Sequence, residues 1–312
     1  MDDYQTTIKS RVRLTGTGVH SGKPVAVTFV PSDVDTGIVF QFVDGPEPGR
    51  EIRALVSEVG ATDLSTLLGN PTGVHVSTVE HLMAALLGAG IDNLIIEMEG
   101  NEVPILDGSA AMFVEAIDQV GLEVQSAKRR FIRILKEIRI ENGASWAEFR
   151  PYSGTRFEVG IDFESRAIGR QQFDIDLNGD SFRTEIAGSR TFGFLKDVER
   201  LWAGGYALGS SLENSVVIGY DNKVINMEGL RFSDEFVRHK TLDAIGDLAL
   251  AGARFIGCFR SYRGGHRLNS VALRRLLSDP EAFEIVETTR QKHGRIAQIS
   301  AVSGPVFAPW AI

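Results

Sequence analysis

The chain has a single cysteine, Cys258, among 312 residues. That leaves no partner for a disulfide and rules out a cysteine-based zinc motif. Long apolar runs are missing as well: no stretch approaches the roughly 20 residues a helix needs to cross a bilayer. The opening residues, Met1-Asp-Asp-Tyr-Gln5, lack the basic and then apolar pattern of a leader. Excess positive charge is also absent. The formal net charge of −8 argues against a broad surface for nucleic acid or anionic membrane, while permitting a local basic pocket. Together these absences predict a soluble, cytoplasmic protein with no nucleic-acid partner and no transmembrane segment, and no feature calls for a protein partner. The length suffices for one large domain or two of about 150 residues, each with its own core.

The sequence reads as one plan used twice. Val25-Ala-Val-Thr-Phe-Val-Pro31 is followed by Thr36-Gly-Ile-Val-Phe-Gln-Phe42, and Trp146-Ala-Glu-Phe-Arg-Pro151 by Thr155-Arg-Phe-Glu-Val-Gly-Ile-Asp-Phe163. Both pairs alternate like half-buried strands and break at proline-containing turns. A histidine helix follows in each half: Ser77 to Gly88 around His81, and Phe236 to Gly246 around His239. The second half is longer, and its surplus falls at about 191–229. The polar stretch Val124-Gln-Ser-Ala-Lys-Arg-Arg130 reads as a linker. The expectation is an α+β fold of two domains, 1–125 and 126–312, each of layered sheets and helices, with the histidine helices facing one another across a shared cleft.

Arg238-His-Lys-Thr-Leu-Asp-Ala-Ile-Gly-Asp247 sets His239, Asp243 and Asp247 four residues apart, on one stripe of a helix. His and Asp at that spacing suit a metal ion, although a solvated stripe with a weak His–Asp pair fits the ten residues equally well. In the first helix Val79, Leu82, Met83, Leu86 and Leu87 make a core stripe. The other side holds Glu80 and His81 beside Ala84, Ala85 and Gly88, small residues that imply close approach by another element. Two bland alternatives stand here. Ser77-x-x-Glu80 is a capping box, and a lone buried histidine is more often core than ligand. Taken together, the two helices offer His81, His239 and Asp243 as a three-ligand set with a fourth position open for water, and Glu80 as a proton acceptor. His266 sits in Arg263-Gly-Gly-His-Arg-Leu-Asn269, where glycines allow close backbone approach to a ligand, and Asp247 is placed to orient a histidine. His20 lies on a glycine-rich turn too short for a phosphate loop. His75 and His293 read as structural or exposed.

Six ordered motifs now carry a resemblance over nearly the whole chain: Gly18-Val-His-Ser-Gly22, Thr78-Val-Glu-His-Leu82, Glu102-Val-Pro-Ile-Leu-Asp-Gly-Ser109, Ser189-Arg-Thr-Phe-Gly-Phe194, Arg238 to Asp247, and Gly264-Gly-His266. The chain resembles the UDP-3-O-acyl-N-acetylglucosamine deacetylases, zinc enzymes of lipid A synthesis. The resemblance implies a two-domain α+β fold of duplicated topology with the active site between the domains. It implies Zn2+ on His81, His239 and Asp243, with Glu80 as general base, His266 as cationic acid with Asp247 behind it, and Thr191 at the oxyanion. Lys240 and Arg263 resemble contacts to the anionic nucleotide-sugar and Phe163 the ring that meets the uracil. His20, Leu64 and Gly265 resemble further cleft positions. The segment from Thr191 to about Ser211 resembles an insert enclosing the acyl chain, where Phe192, Phe194, Leu195, Val198, Leu201 and Ala207 suit an apolar passage, though the same residues also suit a core. The expected reaction is hydrolysis of the N-acetyl group of UDP-3-O-(3-hydroxyacyl)-N-acetylglucosamine. A non-enzymatic protein with a structural zinc, and a deacetylase for a different acylated sugar, are the alternatives.

Overall fold

The computed structural model describes residues 3–45, 47–288 and 299–301; His293 lies outside the described residues. The first half builds a five-stranded sheet from β1 (Val12–Thr17), β2 (Pro24–Pro31), β3 (Ile38–Phe42), β4 (Glu51–Arg53) and β5 (Leu94–Glu99), in the order β1-β2-β5-β3-β4. Helices α1 (Glu80–Ala89) and α2 (Ala111–Val120) flank β5 in sequence. In the second half β6 (Ile138–Asn142), β7 (Ser145–Arg150), β8 (Thr155–Asp162), β9 (Arg170–Asp176) and β10 (Arg254–Tyr262) pair in the order β6-β7-β10-β8-β9. Helix α3 (Leu195–Ala203) falls in the longer segment before α4 (Glu235–Ala249), and α5 (His266–Leu277) follows β10.

The two sheets share more than strand order. In each, the last strand runs antiparallel to the second and parallel to the third: β5 with β2 and β3, β10 with β7 and β8. Alternation explains the pleat. Val25, Val27 and Phe29 of β2 are buried, as are Phe157, Val159 and Ile161 of β8, so one face of each sheet meets helices while the other carries charge. On the charged face of the second sheet, fully buried Glu148 receives Arg139 at 3.0 Å, and Arg260 bridges it to Glu158.

The stretch read as a linker is instead strand: Leu122–Lys128 pairs antiparallel with Tyr4–Ile8, and Arg130–Ile134 pairs with the start of β10. Its polar residues suit a strand with one open face. No helix among the described residues is long and apolar enough to cross a membrane.

The helices α1 and α4 pack directly on one another at the centre. α1 is buried on nearly every side, and glycines let its neighbours approach closely. A Cβ on Gly88 would lie 2.1 Å from the Phe182 ring, and one on Gly246 of α4 would lie 1.9 Å from the Glu80 carbonyl oxygen.

Candidate metal centre and cleft

α1 begins at Glu80, three residues later than Ser77, because Thr78 takes φ 59 and interrupts the helix entry. A β-branched residue in this left-handed region is strained, and its hydroxyl is held by Glu102 and Ser65 at 3.3 and 3.4 Å. The capping box is therefore not formed. Glu80 instead turns its carboxylate inward, where Oε2 accepts the backbone N–H of Thr66 at 3.0 Å.

His81 of α1 meets His239 and Asp243 of α4. Their ligand atoms lie within 4.8 Å of one another: His81 Nε2 and His239 Nε2 are 3.6 and 3.3 Å from Asp243 Oδ1, with the two rings edge to face. All three side chains are buried, and Asp243 Oδ1 has no hydrogen-bond partner. An unpaired buried carboxylate oxygen is costly, and a cation between these three groups removes that cost. His239 Nδ1 contacts the Ser189 carbonyl at 3.2 Å, which fixes the ring and leaves Nε2 as the free lone pair. Burial pushes the His239 imidazole down to about 3 against the pull of Asp243, so it stays neutral, as a ligand must. Burial alone would raise the Asp243 carboxyl, but the Lys240 ammonium and the neighbouring His81 ring hold it well below its ordinary value. Lys240 Nζ donates to Asp243 Oδ2 at 2.8 Å.

Beside these three stands a second set. His266, the first residue of α5, places Nε2 3.7 Å from Glu80 Oε1 and Nδ1 2.9 Å from Asp247 Oδ2. Burial lowers the His266 imidazolium, yet Asp247, Glu80 and Asp243 together push it up to about 10. Burial also raises Glu80, opposed by His266 and His81. The pair is an imidazolium facing a carboxylate of high proton affinity, suited to moving protons in opposite directions. Arg263 enters α5 with φ 52, so strained backbone flanks both members of the pair.

A cleft over the metal group is lined by His20, Leu64, Thr191, Phe192, Val198, Leu201 and Ala207 together with Glu80, His81, His239, Lys240, Asp243 and His266. Glu102 shapes one wall by accepting the N–H groups of His20 and Ser21 at 2.8 and 3.0 Å, and Gly18 is required there, since a Cβ would sit 2.1 Å from the Glu102 carboxylate. Buried Arg190 donates to Glu235 at 2.9 Å, tying Ser189 and Thr191 to the start of α4. A second opening, sharing Lys240, is lined by Phe163, Phe194, Lys196 and Arg263. Gly265 lines neither opening but a small cavity that shares Lys240 with both and Asp243 with the first.

The structure thus gathers Glu80, His81, Thr191, His239, Asp243 and His266 around one cleft, with Asp247 directly behind His266. Two residues expected in an apolar passage lie elsewhere. Phe194 caps α3 and packs near Phe163 in the second opening, and Leu195 begins the helix without lining either opening. The chain turns into α3 at this point, and Val198 and Leu201, one and two turns further on, take the face toward the metal group. Sequence reasoning missed Thr66, Ser189 and Asn269. Asn269 donates to Asp247 Oδ2 at 2.8 Å, and its place one helical turn after His266 was a usable signal. Thr66 and Ser189 act through long-range contacts that no spacing marks.

Comparison with known proteins gives a family for the chain as a whole. The family model described as UDP-3-O-acyl N-acetylglycosamine deacetylase matches residues 5–278. Proteins named UDP-3-O-acyl-N-acetylglucosamine deacetylase from Brucella ovis and Brucella abortus (strain 2308) are each 62% identical over 287 residues, covering 92% of this chain and 100% of theirs. That of Brucella melitensis biotype 2 is 61% identical over the same share of both chains.

Proposed function

The chain belongs to the UDP-3-O-acyl N-acetylglycosamine deacetylase family, and from that premise we propose that it removes the N-acetyl group of UDP-3-O-acyl-N-acetylglucosamine in lipid A biosynthesis, releasing acetate and the free amine. It is a hydrolase of an acylated UDP-sugar. The observation that carries the reading is the convergence of His81, His239 and Asp243 beside the Glu80–His266 pair. Zn2+ is the resident ion in this reading: two imidazole nitrogens, one carboxylate oxygen and a position open to water are its usual hydrolytic donor set. When bound, it polarises the amide carbonyl and acidifies water.

The protein's own groups supply the rest. Glu80, anchored by Thr66, accepts the proton of the attacking water. His266, held by Asp247, donates a proton to the departing nitrogen, since an amine leaves poorly as an anion. The Thr191 hydroxyl, in the cleft wall, is assigned to the developing oxyanion. Phe163, Lys240 and Arg263, with Phe194 and Lys196 beside them, suit an aromatic base and a diphosphate. Phe192, Val198, Leu201 and Ala207 suit the acyl chain; His20 and Leu64 complete the walls, and Gly265 lines the small cavity that shares Lys240. The division at about residue 125 belongs to the same reading, supported by the sheet order that recurs on either side. We place the reaction in the cytoplasm, where nucleotide-sugars are made, and the unpaired, buried Cys258 fits a reducing compartment.

Product analysis tests the proposal. Metal-loaded protein incubated with the acylated UDP-sugar should release acetate and a free amine, and a chelator should stop it. Absence of acetate from metal-loaded protein would overturn the assignment.

A further inference from the structure

Thr66 is almost fully buried behind the cleft wall and bonds to both carboxylates that face His266, Glu80 and Asp247. Its backbone N–H donates to Glu80 Oε2 at 3.0 Å, and its hydroxyl donates to Asp247 Oδ1 at 2.6 Å. The remaining oxygens of both carboxylates turn to His266: Asp247 Oδ2 lies 2.9 Å from Nδ1, and Glu80 Oε1 faces Nε2 at 3.7 Å. Thr66, Glu80, His266 and Asp247 therefore close a ring in which each carboxylate gives one oxygen to Thr66 and presents the other to the imidazole.

A merely satisfied buried threonine finds a nearby carbonyl, as Thr241 does with Val237 one turn back on α4. The Thr66 hydroxyl instead reaches a carboxylate in the other half of the chain. Its own place is fixed, because its carbonyl accepts the Val79 N–H at 3.3 Å, at the entry to α1. A carboxylate anchored through one oxygen cannot rotate about its terminal bond, so the direction of its second oxygen is set. Asn269 adds a second donor to Asp247 Oδ2. Hydrogen bonds to charged groups in a buried site are among the stronger ones.

Resting on the deacetylase reading above, we infer that Thr66 is a positioning residue of the reaction, holding the base Glu80 and the carboxylate Asp247 in fixed directions on either side of His266. It acts through these groups and does not touch substrate.

The experiment compares wild type, Thr66→Val and Thr66→Ser on the acylated UDP-sugar, with metal content measured on each preparation. Thr66→Val removes the hydroxyl at almost constant volume and keeps the backbone N–H. It should lower kcat about ten- to hundred-fold, the effect of one buried charge-assisted hydrogen bond, with KM changed less than about threefold and metal fully retained. Thr66→Ser should recover most of that loss. In an Asp247→Ala background the same Thr66→Val change should cost less than about threefold, because the group it acts through is gone. A wild-type kcat in Thr66→Val, or an undiminished effect in the Asp247→Ala background, overturns the inference while leaving the deacetylase reading intact. If wild type releases no acetate, the deacetylase reading fails and takes this inference with it. Thr66→Ala, which adds no bulk, is read by the same criteria should the valine variant not fold.

Discussion

Gly246 lies against the backbone of Glu80, so close that a Cβ would stand 1.9 Å from the Glu80 carbonyl oxygen. This contact sets the spacing of α1 and α4, and His81 is on one helix while His239 and Asp243 are on the other. Gly246→Ala must therefore push the helices apart or distort one of them. Overpacking of this kind costs typically 1–3 kcal/mol. A lower melting temperature together with weaker metal retention is expected in Gly246→Ala. Unchanged stability and metal content would show that the spacing is set elsewhere.

Purified protein should carry one tightly held metal ion per chain. His81→Ala, His239→Ala and Asp243→Ala should each lower its affinity, since each removes one of three donors whose ligand atoms lie within 4.8 Å. Elemental analysis after dialysis measures this. Full occupancy in all three variants would remove the ligand assignment.

Acid–base roles make a prediction with a sign. His266 is raised to about 10 because Asp247, Glu80 and Asp243 outweigh the effect of burial. As a proton donor it acts while protonated, so activity should fall as pH rises through that region. Asp247→Asn removes one of the raising charges, so the basic limb should move to lower pH. The same ion pairs stabilise the fold fully below the ordinary histidine value of 6.5, and that contribution is lost as pH rises toward 10. A basic limb that stays in place in Asp247→Asn would separate His266 from the observed titration.

Glu80→Ala should abolish most turnover, by about a hundredfold or more, with metal still bound. The structure leaves Glu80 no capping role, because its carboxylate is bonded to Thr66 and not to the turn at Ser77. If Glu80→Ala keeps near-normal kcat, another group accepts the water proton.

The sequence made the histidine helices legible because their spacing is local: His239, Asp243 and Asp247 share a stripe whatever lies around them. The small residues Ala84, Ala85 and Gly88 likewise announced close packing, without revealing against what. Three things were hidden for one reason, which is that they depend on distant chain segments. Thr78 takes its strained conformation among Ser65 and Glu102, and this cancels the capping box that Ser77 and Glu80 spell out. The polar stretch from Val124 becomes strand because Tyr4–Ile8 is there to pair with it. Thr66 reaches Asp247 across 181 positions, where no periodicity operates.

The final prediction concerns the apolar side of the cleft. Phe192, Val198, Leu201 and Ala207 line it beside the metal group, and the Phe192 ring packs against Phe236 at 5.0 Å and His239 at 6.2 Å. An acyl chain entering here gains about 0.8 kcal/mol for each methylene buried. Ten or so carbons thus supply several kcal/mol even after the chain is ordered. Part of that energy is available to hold the acetamido carbonyl in place, so its loss should lower turnover as well as affinity. UDP-N-acetylglucosamine without the acyl chain is expected to be a very poor substrate. Val198→Asp should penalise the acylated substrate far more than the bare one, because it sets a charge in the path of the chain. Leu195→Asp, outside the lining, should discriminate much less. Comparable kcat/KM on both substrates in the unmodified enzyme would rule out this side of the cleft as the acyl site.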